Sequence, residues 1–364
     1  MKILQVLPEL NSGGVERGTL ELSAHLAREG HESVVLSGGG RLVGELEADG
    51  GRHIELPVGR KSISSLALIP RLRRLMRDEK PDIVHVRSRV PAWLVWRAWK
   101  HLPPGGRPRL VSTVHGFYSV NRWSAIMTRG ERVICVSESI KEYVLTNYPK
   151  VSEPLLRVIP RGVDPERYPY GFRPDTAWLT AFESAFPATR GKTLITLPGR
   201  ITRLKGHGDL IDILNELSDR PDVHAVVVGG AHPRKAAYLE EVLERVKAEG
   251  LTERITFTGN RDDLREILAI STVVLSLTTQ PESFGRTTLE ALAMGVPVVG
   301  YDHGGVGEQL ARLFPEGCVP PLDVKAAAKA IEAQLDHPAT VQPDNPFTLQ
   351  RMLEGTVDVY RELL

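Results

Sequence analysis

The chain has 364 residues, of which 41% are hydrophobic and 25% charged, with a formal net charge of +1; this exceeds one ordinary domain and has the make-up of a folded globular protein. No apolar run reaches the roughly 18–20 residues that cross a bilayer, and the apolar stretch at the N-terminus breaks off too soon for a signal peptide. The only cysteines, Cys135 and Cys318, have no metal-ligand spacing and cannot build a disulfide framework, so a reducing, cytoplasmic setting is expected.

In chain order, the first half alternates strand patterns ("KILQVL", "SVVLS", "HIELPV", "DIVHV", "LVSTV", "RVICVS") with amphipathic helices such as "VERGTLELSAHLAREG" and "ESIKEYVLTNY". After the first strand, "LNSGGVERG" sets Gly13 and Gly14 at a helix start, a backbone-lined place for an anion or a hydroxyl. It lacks the G-x-G-x-x-G spacing, which argues against a nicotinamide dinucleotide. Residues 60–132 hold sixteen Arg or Lys against four acids, so this block suits an anionic partner or forms a solvated basic face. Inside it, "PAWLVWRAWKHLPP" puts Trp93, Trp96 and Trp99 on one helix side with Lys100 and near Arg97, and Leu94, Val95 and Ala98 on the other. Such a helix can lie on an anionic membrane, or its tryptophans can pack under a neighbouring element. His115 follows a strand in "VSTVHGFYS", Ser137 and Glu138 follow the next in "VSES", and "IPRGVD" (159–164) follows another.

The stretch around 166–190 is rich in proline and aromatics and lacks sheet periodicity, which predicts a linker. Strand patterns then resume ("TLITLPG", "VHAVVVGG", "ITFTG", "TVVLSL", "VPVVGY") between helices such as "DLIDILNELS", "YLEEVLERVKAEG" and "DDLREILAI". Continuous Val/Ile/Leu strands alternating with helices predict parallel sheets covered on both faces. The expected α/β architecture is two doubly wound Rossmann-like domains, 1–165 and 191–346, facing across a central cleft, with a closing helix over about 347–364 returning to the first.

Chemistry concentrates in two stretches of the second half. "TLITLPGRITRLKGHGDLI" brings Gly199, Arg200, Lys205 and Gly206 between a strand end and a helix start. Glycine lets backbone approach a phosphate, the helix start favours anions and arginine adds a bidentate fork, so this suits a diphosphate. Two solvated cations in a turn would look the same. "PESFGRTTLEALAMG" places Glu282 in a loop and Glu290 about one turn into a helix, with Ser283, Phe284, Gly285, Arg286, Thr287 and Thr288 between. The two acids are eight positions apart and cannot be i,i+4 neighbours. Helix-start amides attract an anion and a nearby carboxylate accepts hydrogen bonds from hydroxyls, a combination that suits a sugar on a diphosphate. Alone, an acid in a first turn usually just answers the helix dipole.

There is no D-x-D, the common metal-holding sequence of sugar-nucleotide enzymes, and no G-x-S-x-G, H-E-x-x-H or Walker A lysine loop. With "GGVER", "HG" at 115–116, "VSES", "GRITRLKG" at 199–206, "VVVGG" at 226–230 and "ESFGRTTLEALAMGVPVV" at 282–299 in this order, nearly the whole chain resembles the family 4 retaining glycosyltransferases of the GT-B fold. The resemblance implies a donor-binding second domain and an acceptor-binding first domain. Glu282 and Glu290 form the family's E-x7-E signature, implying that Glu282 contacts the donor sugar and Glu290 the ribose. Arg200 and Lys205 would neutralise the diphosphate with amides around Phe284, Gly285 and Arg286, and Ser283 and Thr287 would also bind the donor. Gly13, Gly14, Gly199 and Gly229 would line the donor, and His115 would sit near its sugar. The donor implied is a UDP- or GDP-type sugar, with no metal and no other cofactor. The acceptor implied is a glycan or lipid-linked molecule, as in bacterial polysaccharide or lipopolysaccharide-core synthesis at the cytoplasmic face of the inner membrane. The family often has Asn-Gly-Val-Asp where this chain has Arg161-Gly162-Val163-Asp164. The rival readings are another GT-B enzyme (an epimerase or an inverting transferase) and a non-catalytic nucleotide-sugar-binding module; nucleic acid is disfavoured by the near-neutral charge.

Overall fold

Strands that carry aliphatic residues at every position have no solvent face, and they settle in parallel sheets with helices on both sides. A computed structural model of the chain, which describes residues 1–11, 13–60, 62–231 and 236–364, has two such units. Ser12 of the first glycine motif and Lys61 of the basic block lie outside the described residues. The first unit comprises Met1–Arg161 with Gln350–Leu364, and the second Gly162–Leu349.

In the first unit the strands are β1 (Lys2–Val6), β2 (Glu32–Ser37), β3 (Arg52–Glu55), β4 (Ile83–Val86), β5 (Arg109–Val114), β6 (Arg132–Cys135) and β7 (Leu156–Val158). They pair in parallel in the order β3-β2-β1-β4-β5-β6-β7. Alternate residues leave on opposite faces: Leu4, Val6, Val34 and Val84 pack toward Val95 and Ala98, and Val35 packs with Leu7, Leu20 and Leu46. The second unit has β8 (Thr193–Pro198), β9 (Val223–Val228), β10 (Ile255–Gly259), β11 (Val273–Ser276), β12 (Val298–Tyr301) and β13 (Cys318–Val319), parallel in the order β10-β9-β8-β11-β12-β13. Ile195 and Leu197 join Leu210, Leu214 and Ile331 on one face, while Val274 and Val298 join Leu289, Leu292 and Leu310 on the other. In each sheet the strand order reverses once, between β1 and β4 and between β8 and β11. At such a reversal the loops leaving the carboxyl ends part and open a crevice.

Three stretches sharpen the sequence expectations. Residues 166–190 belong to the second unit and contain a helix, Thr176–Ala185. Asp175 caps it by accepting from the Trp178 amide at 2.7 Å, and Trp178 and Phe182 stack at 5.1 Å. The flanking prolines hide this helix from a periodicity search, whereas the aromatics at 178, 182 and 186 recur at helical spacing. The Arg89–Lys100 helix buries Leu94, Val95 and Ala98, and its tryptophans are half-buried within the same unit. Trp93 Nε1 donates to the Trp123 carbonyl at 2.8 Å, Trp99 Nε1 to the Pro108 carbonyl at 2.6 Å, and the Arg129 guanidinium lies 4.6 Å over Trp96. Finally, the helix Leu349–Arg361 buries Met352, Leu353, Val357 and Tyr360, with the Tyr360 hydroxyl 2.7 Å from His85 Nδ1. Among the described residues no helix is long and apolar enough to cross a membrane.

Candidate active site

The crevice at the β8/β11 reversal collects most of the residues singled out in the second half. Gly199 and Arg200 follow β8, Gly229 follows β9, and the loop holding Glu282 follows β11. Two glycines let these loops close on one another. A Cβ on Gly229 would overlap the Gly199 carbonyl, and one on Gly206 (φ 72°) would overlap the Leu277 carbonyl. The Lys205 turn therefore lies against the loop after β11, with the Thr279 amide donating to the Leu204 carbonyl at 3.0 Å. Lys205 Nζ meets Glu282 Oε2 at 3.0 Å, each side chain a little over a quarter exposed (27% and 29%). Arg200 is exposed.

Glu282 is held by its backbone: its carbonyl accepts from the Gly305 amide at 2.8 Å. Phe284 is buried against Phe347, and the buried Gln309 donates from Nε2 to the carbonyls of Phe284 and Gly285. The helix Arg286–Ala293 then begins with Gly285 as a cap that supplies no side chain. Its first amides, from Arg286 through Thr288, lack intrahelical acceptors and give the crevice a positive wall. Ser283 and Thr287 are half-buried beside it. Glu290, only 9% exposed, sits one turn in, 3.7 Å from Arg286 at i,i+4, and receives a hydrogen bond from the Tyr168 phenol. Burial and the neighbouring carboxylate push that phenol up to about 12. Glu282 and Glu290 thus have separate partners, the one paired with a lysine, the other backed by a tyrosine and an arginine.

In the first unit, Gly13 and Gly14 open the helix Gly14–Arg28, again with no side-chain cap. The Glu16 carboxyl folds back over this start, hydrogen-bonded to its own amide and with Oε2 2.5 Å from where a Gly13 Cβ would stand. Burial raises the Glu16 carboxyl above the usual range. His115 follows β5; burial first, then the Arg161 and Arg87 guanidiniums, keeps its imidazole well below the usual range, so the ring is neutral. Ser137 is a helix cap: its hydroxyl accepts from the Ile140 amide at 3.2 Å. Gln309, Tyr168, Glu16 and Arg161 were not singled out as site residues from sequence. Two of them had a local pointer: for Gln309 the Gly304-Gly305 pair after β12 that marks a close backbone approach, and for Arg161 its place where the resembled family often has Asn.

Two large cavities lined by described residues lie away from this crevice. One of about 710 Å³ in the second unit is lined by Lys192, Leu194, Thr272 and Pro297, at the amino ends of the strands and away from the crevice. In the first unit a groove of about 950 Å³ runs by the carboxyl ends of β1, β3 and β4. Leu66, Val90, Trp93 and Trp123 form its apolar lining, with Arg60, Arg89 and Arg97 around it and no carboxylate among the described lining residues. Among the described residues no group of three or more His, Cys, Asp or Glu side chains is placed to hold a metal ion.

Comparison with known proteins matches both halves. Residues 12–167 match the family described as Glycosyltransferase Family 4, and residues 181–343 match Glycosyl transferases group 1. A solved glycosyltransferase from Rickettsia africae superposes with a TM-score of 0.88 at 30% identity, covering 100% of this chain and 98% of that one. An Anabaena protein solved with UDP-glucose shares the fold, with a TM-score of 0.77 at 20% identity, covering 100% of this chain and 98% of that one. Among curated proteins, the lipopolysaccharide core biosynthesis mannosyltransferase of Rhizobium meliloti is 31% identical over 52% of this chain and 51% of its own length. The alpha-maltose-1-phosphate synthase of Mycobacterium tuberculosis is 28% identical over 71% of this chain and 70% of its own. The two doubly wound sheets, the matched halves and the full-length likeness together show that the chain belongs to the family 4 glycosyltransferases of the GT-B fold.

Proposed function

We propose that the protein is a retaining, metal-independent glycosyltransferase that moves a sugar from a nucleotide-diphosphate sugar to a glycan or lipid-linked acceptor. The observation that carries this reading is the Lys205–Glu282 pair beside the uncapped start of the Arg286–Ala293 helix. Before a donor binds, Glu282 neutralises Lys205. An arriving diphosphate takes the lysine, and the released carboxylate accepts hydrogen bonds from the donor sugar. Glu290, backed by Tyr168, holds the ribose hydroxyls.

During transfer the bond from the anomeric carbon to the diphosphate breaks and a bond to the acceptor oxygen forms on the same face. A phosphate oxygen takes the acceptor's proton, so a nucleoside diphosphate leaves and no protein nucleophile is used. Negative charge grows on the leaving diphosphate, where Arg200 and Lys205 supply positive charge and the amides of the helix start are already in place to receive it. His115, neutral, supplies a hydrogen bond to a sugar hydroxyl. Gly13 and Gly14 offer amides to an anion once the Glu16 carboxyl swings off them.

The arginine-rimmed groove of the first unit supports an amphiphilic, anionic acceptor, such as a lipid-linked or lipopolysaccharide-core molecule at the cytoplasmic face of the inner membrane. Salt-sensitive sedimentation with anionic vesicles, absent with zwitterionic ones, is the expected result. Equal recovery with both vesicle types removes the membrane part of the proposal. A turnover screen across UDP- and GDP-sugars tests the reaction itself, and a protein that binds these donors without turnover fits the non-catalytic reading instead.

A further inference from the structure

His115 and Arg161, which leave the carboxyl ends of β5 and β7, meet inside the first unit: an Arg161 Nη2 N–H lies 2.6 Å from His115 Nδ1. A guanidinium carries only donors and stays charged. Nδ1 is therefore the acceptor, and a neutral ring must carry its proton on Nε2. That Nε2 is shut off from solvent and has no hydrogen-bond partner among the described residues. A buried donor left unmade is unfavourable, and a ligand hydroxyl would relieve it.

The surroundings are shaped around this contact. Gly18 leaves room for the guanidinium, since a Cβ there would stand 2.8 Å from Arg161 Nη1. The His115 amide lies 3.2 Å from the Tyr118 hydroxyl, which fixes the backbone that carries the ring. Arg87, 4% exposed, donates to Gln5 Oε1 at 2.7 Å and adds a second positive charge nearby. The titratable and charged groups facing the ring are Arg161, Arg87, His85 and Tyr118, with His85 itself held neutral by burial.

We propose that Arg161 is a positioning residue: it locks His115 in the Nε2–H tautomer and so makes it a hydrogen-bond donor to a hydroxyl of the transferred sugar, rather than a proton carrier. The tautomer concerns the protein alone; its use on a sugar rests on the proposed glycosyl transfer. The residues between β7 and the second unit then have a chemical task, which Asn at position 161 could not perform with a permanent charge.

Long-range 1H–15N spectra of the full chain with labelled histidine test the lock, with His115 assigned by the signal that His115→Gln removes. In the wild type we expect an Nε2-protonated ring whose shifts stay constant from about pH 8 to about pH 5.5. Arg161→Ala releases it, giving mixed tautomers of a ring that burial and Arg87 still hold below the ordinary imidazole range, while Arg161→Lys keeps the wild-type pattern. In turnover assays Arg161→Ala lowers kcat by up to about 100-fold with donor KM little changed, and Arg161→Lys restores most of it. A wild-type ring protonated on Nδ1, or titrating near its ordinary value, overturns the lock; if Arg161→Ala does not fold, the wild-type and Arg161→Lys spectra decide. A wild-type kcat in Arg161→Ala overturns the role in transfer. Spectra as expected with no turnover on any nucleotide sugar keep the tautomer assignment and reject the transfer reading together with the role built on it.

Discussion

Lys205 and Glu282 meet across seventy-odd residues of chain at 3.0 Å, yet both side chains remain more than a quarter exposed. An ion pair so placed adds little to stability, within about 1 kcal/mol. Lys205→Ala should therefore leave the melting temperature nearly unchanged while lowering kcat by about 100- to 1000-fold, and Arg200→Ala should behave alike. Equal losses in melting temperature and turnover would mean that Lys205 serves the fold instead. Glu290→Ala should act differently, raising donor KM by roughly 10- to 100-fold with a smaller effect on kcat, since it would remove the charge-assisted hydrogen bonds proposed to the ribose. Steady-state kinetics with a saturable donor separate the two behaviours. The types and spacing of these residues could be read in the sequence, because glycines, cations and acids cluster at strand ends. Their pairings could not. Tyr168 behind Glu290 and Arg161 on His115 are side-chain meetings between distant segments, and nothing local marks them.

At the scale of elements, the Arg286–Ala293 helix and the turn before Gly206 do the positioning. Gly206→Ala would force a Cβ into the Leu277 carbonyl from a left-handed backbone. It should cost more than about 1 kcal/mol in denaturant unfolding and separate Lys205 from Glu282. The closing helix has a comparable role in the first unit. Tyr360→Phe leaves His85 Nδ1 without the hydroxyl now 2.7 Å away, and should cost about 1–3 kcal/mol in the same measurement. No change in the unfolding midpoint would show that water takes the hydroxyl's place. Strands and long helices were legible from their periodicity, and so was the closing helix. The Thr176–Ala185 helix was not, because prolines and aromatics around it mimic a linker, and the two-residue β13 is too short to leave a pattern.

For the molecule as a whole, the buried histidines set the response to acid. Burial holds His207 and His224 down to about 4, and His85 and His115 also lie well below the usual range. Between about pH 6.5 and about pH 4 the unfolded chain binds protons that the folded chain refuses. Stability is then complete above about pH 6.5 and falls as the pH drops, by up to about 3 kcal/mol for each of His207 and His224. Glu362, held near 2 by Arg157 and Arg132, adds a loss in the same direction only at lower pH. Thermal unfolding at several pH values should show a midpoint that declines through this window; a flat midpoint would mean that the histidines are hydrated. The doubly wound architecture was legible because aliphatic strands recur through both halves with helices between them, whereas the pH response depends on burial that no pattern of residue types reveals.

Transfer with retention and without a metal is the proposed reaction of this crevice. The most direct test is the anomeric configuration, by NMR, of the product formed in a chelator from an α-linked nucleotide-diphosphate sugar that the enzyme accepts. An α-linked product and undiminished turnover are expected. A β-linked product, or turnover abolished by the chelator and restored by a divalent cation, would overturn the proposed reaction.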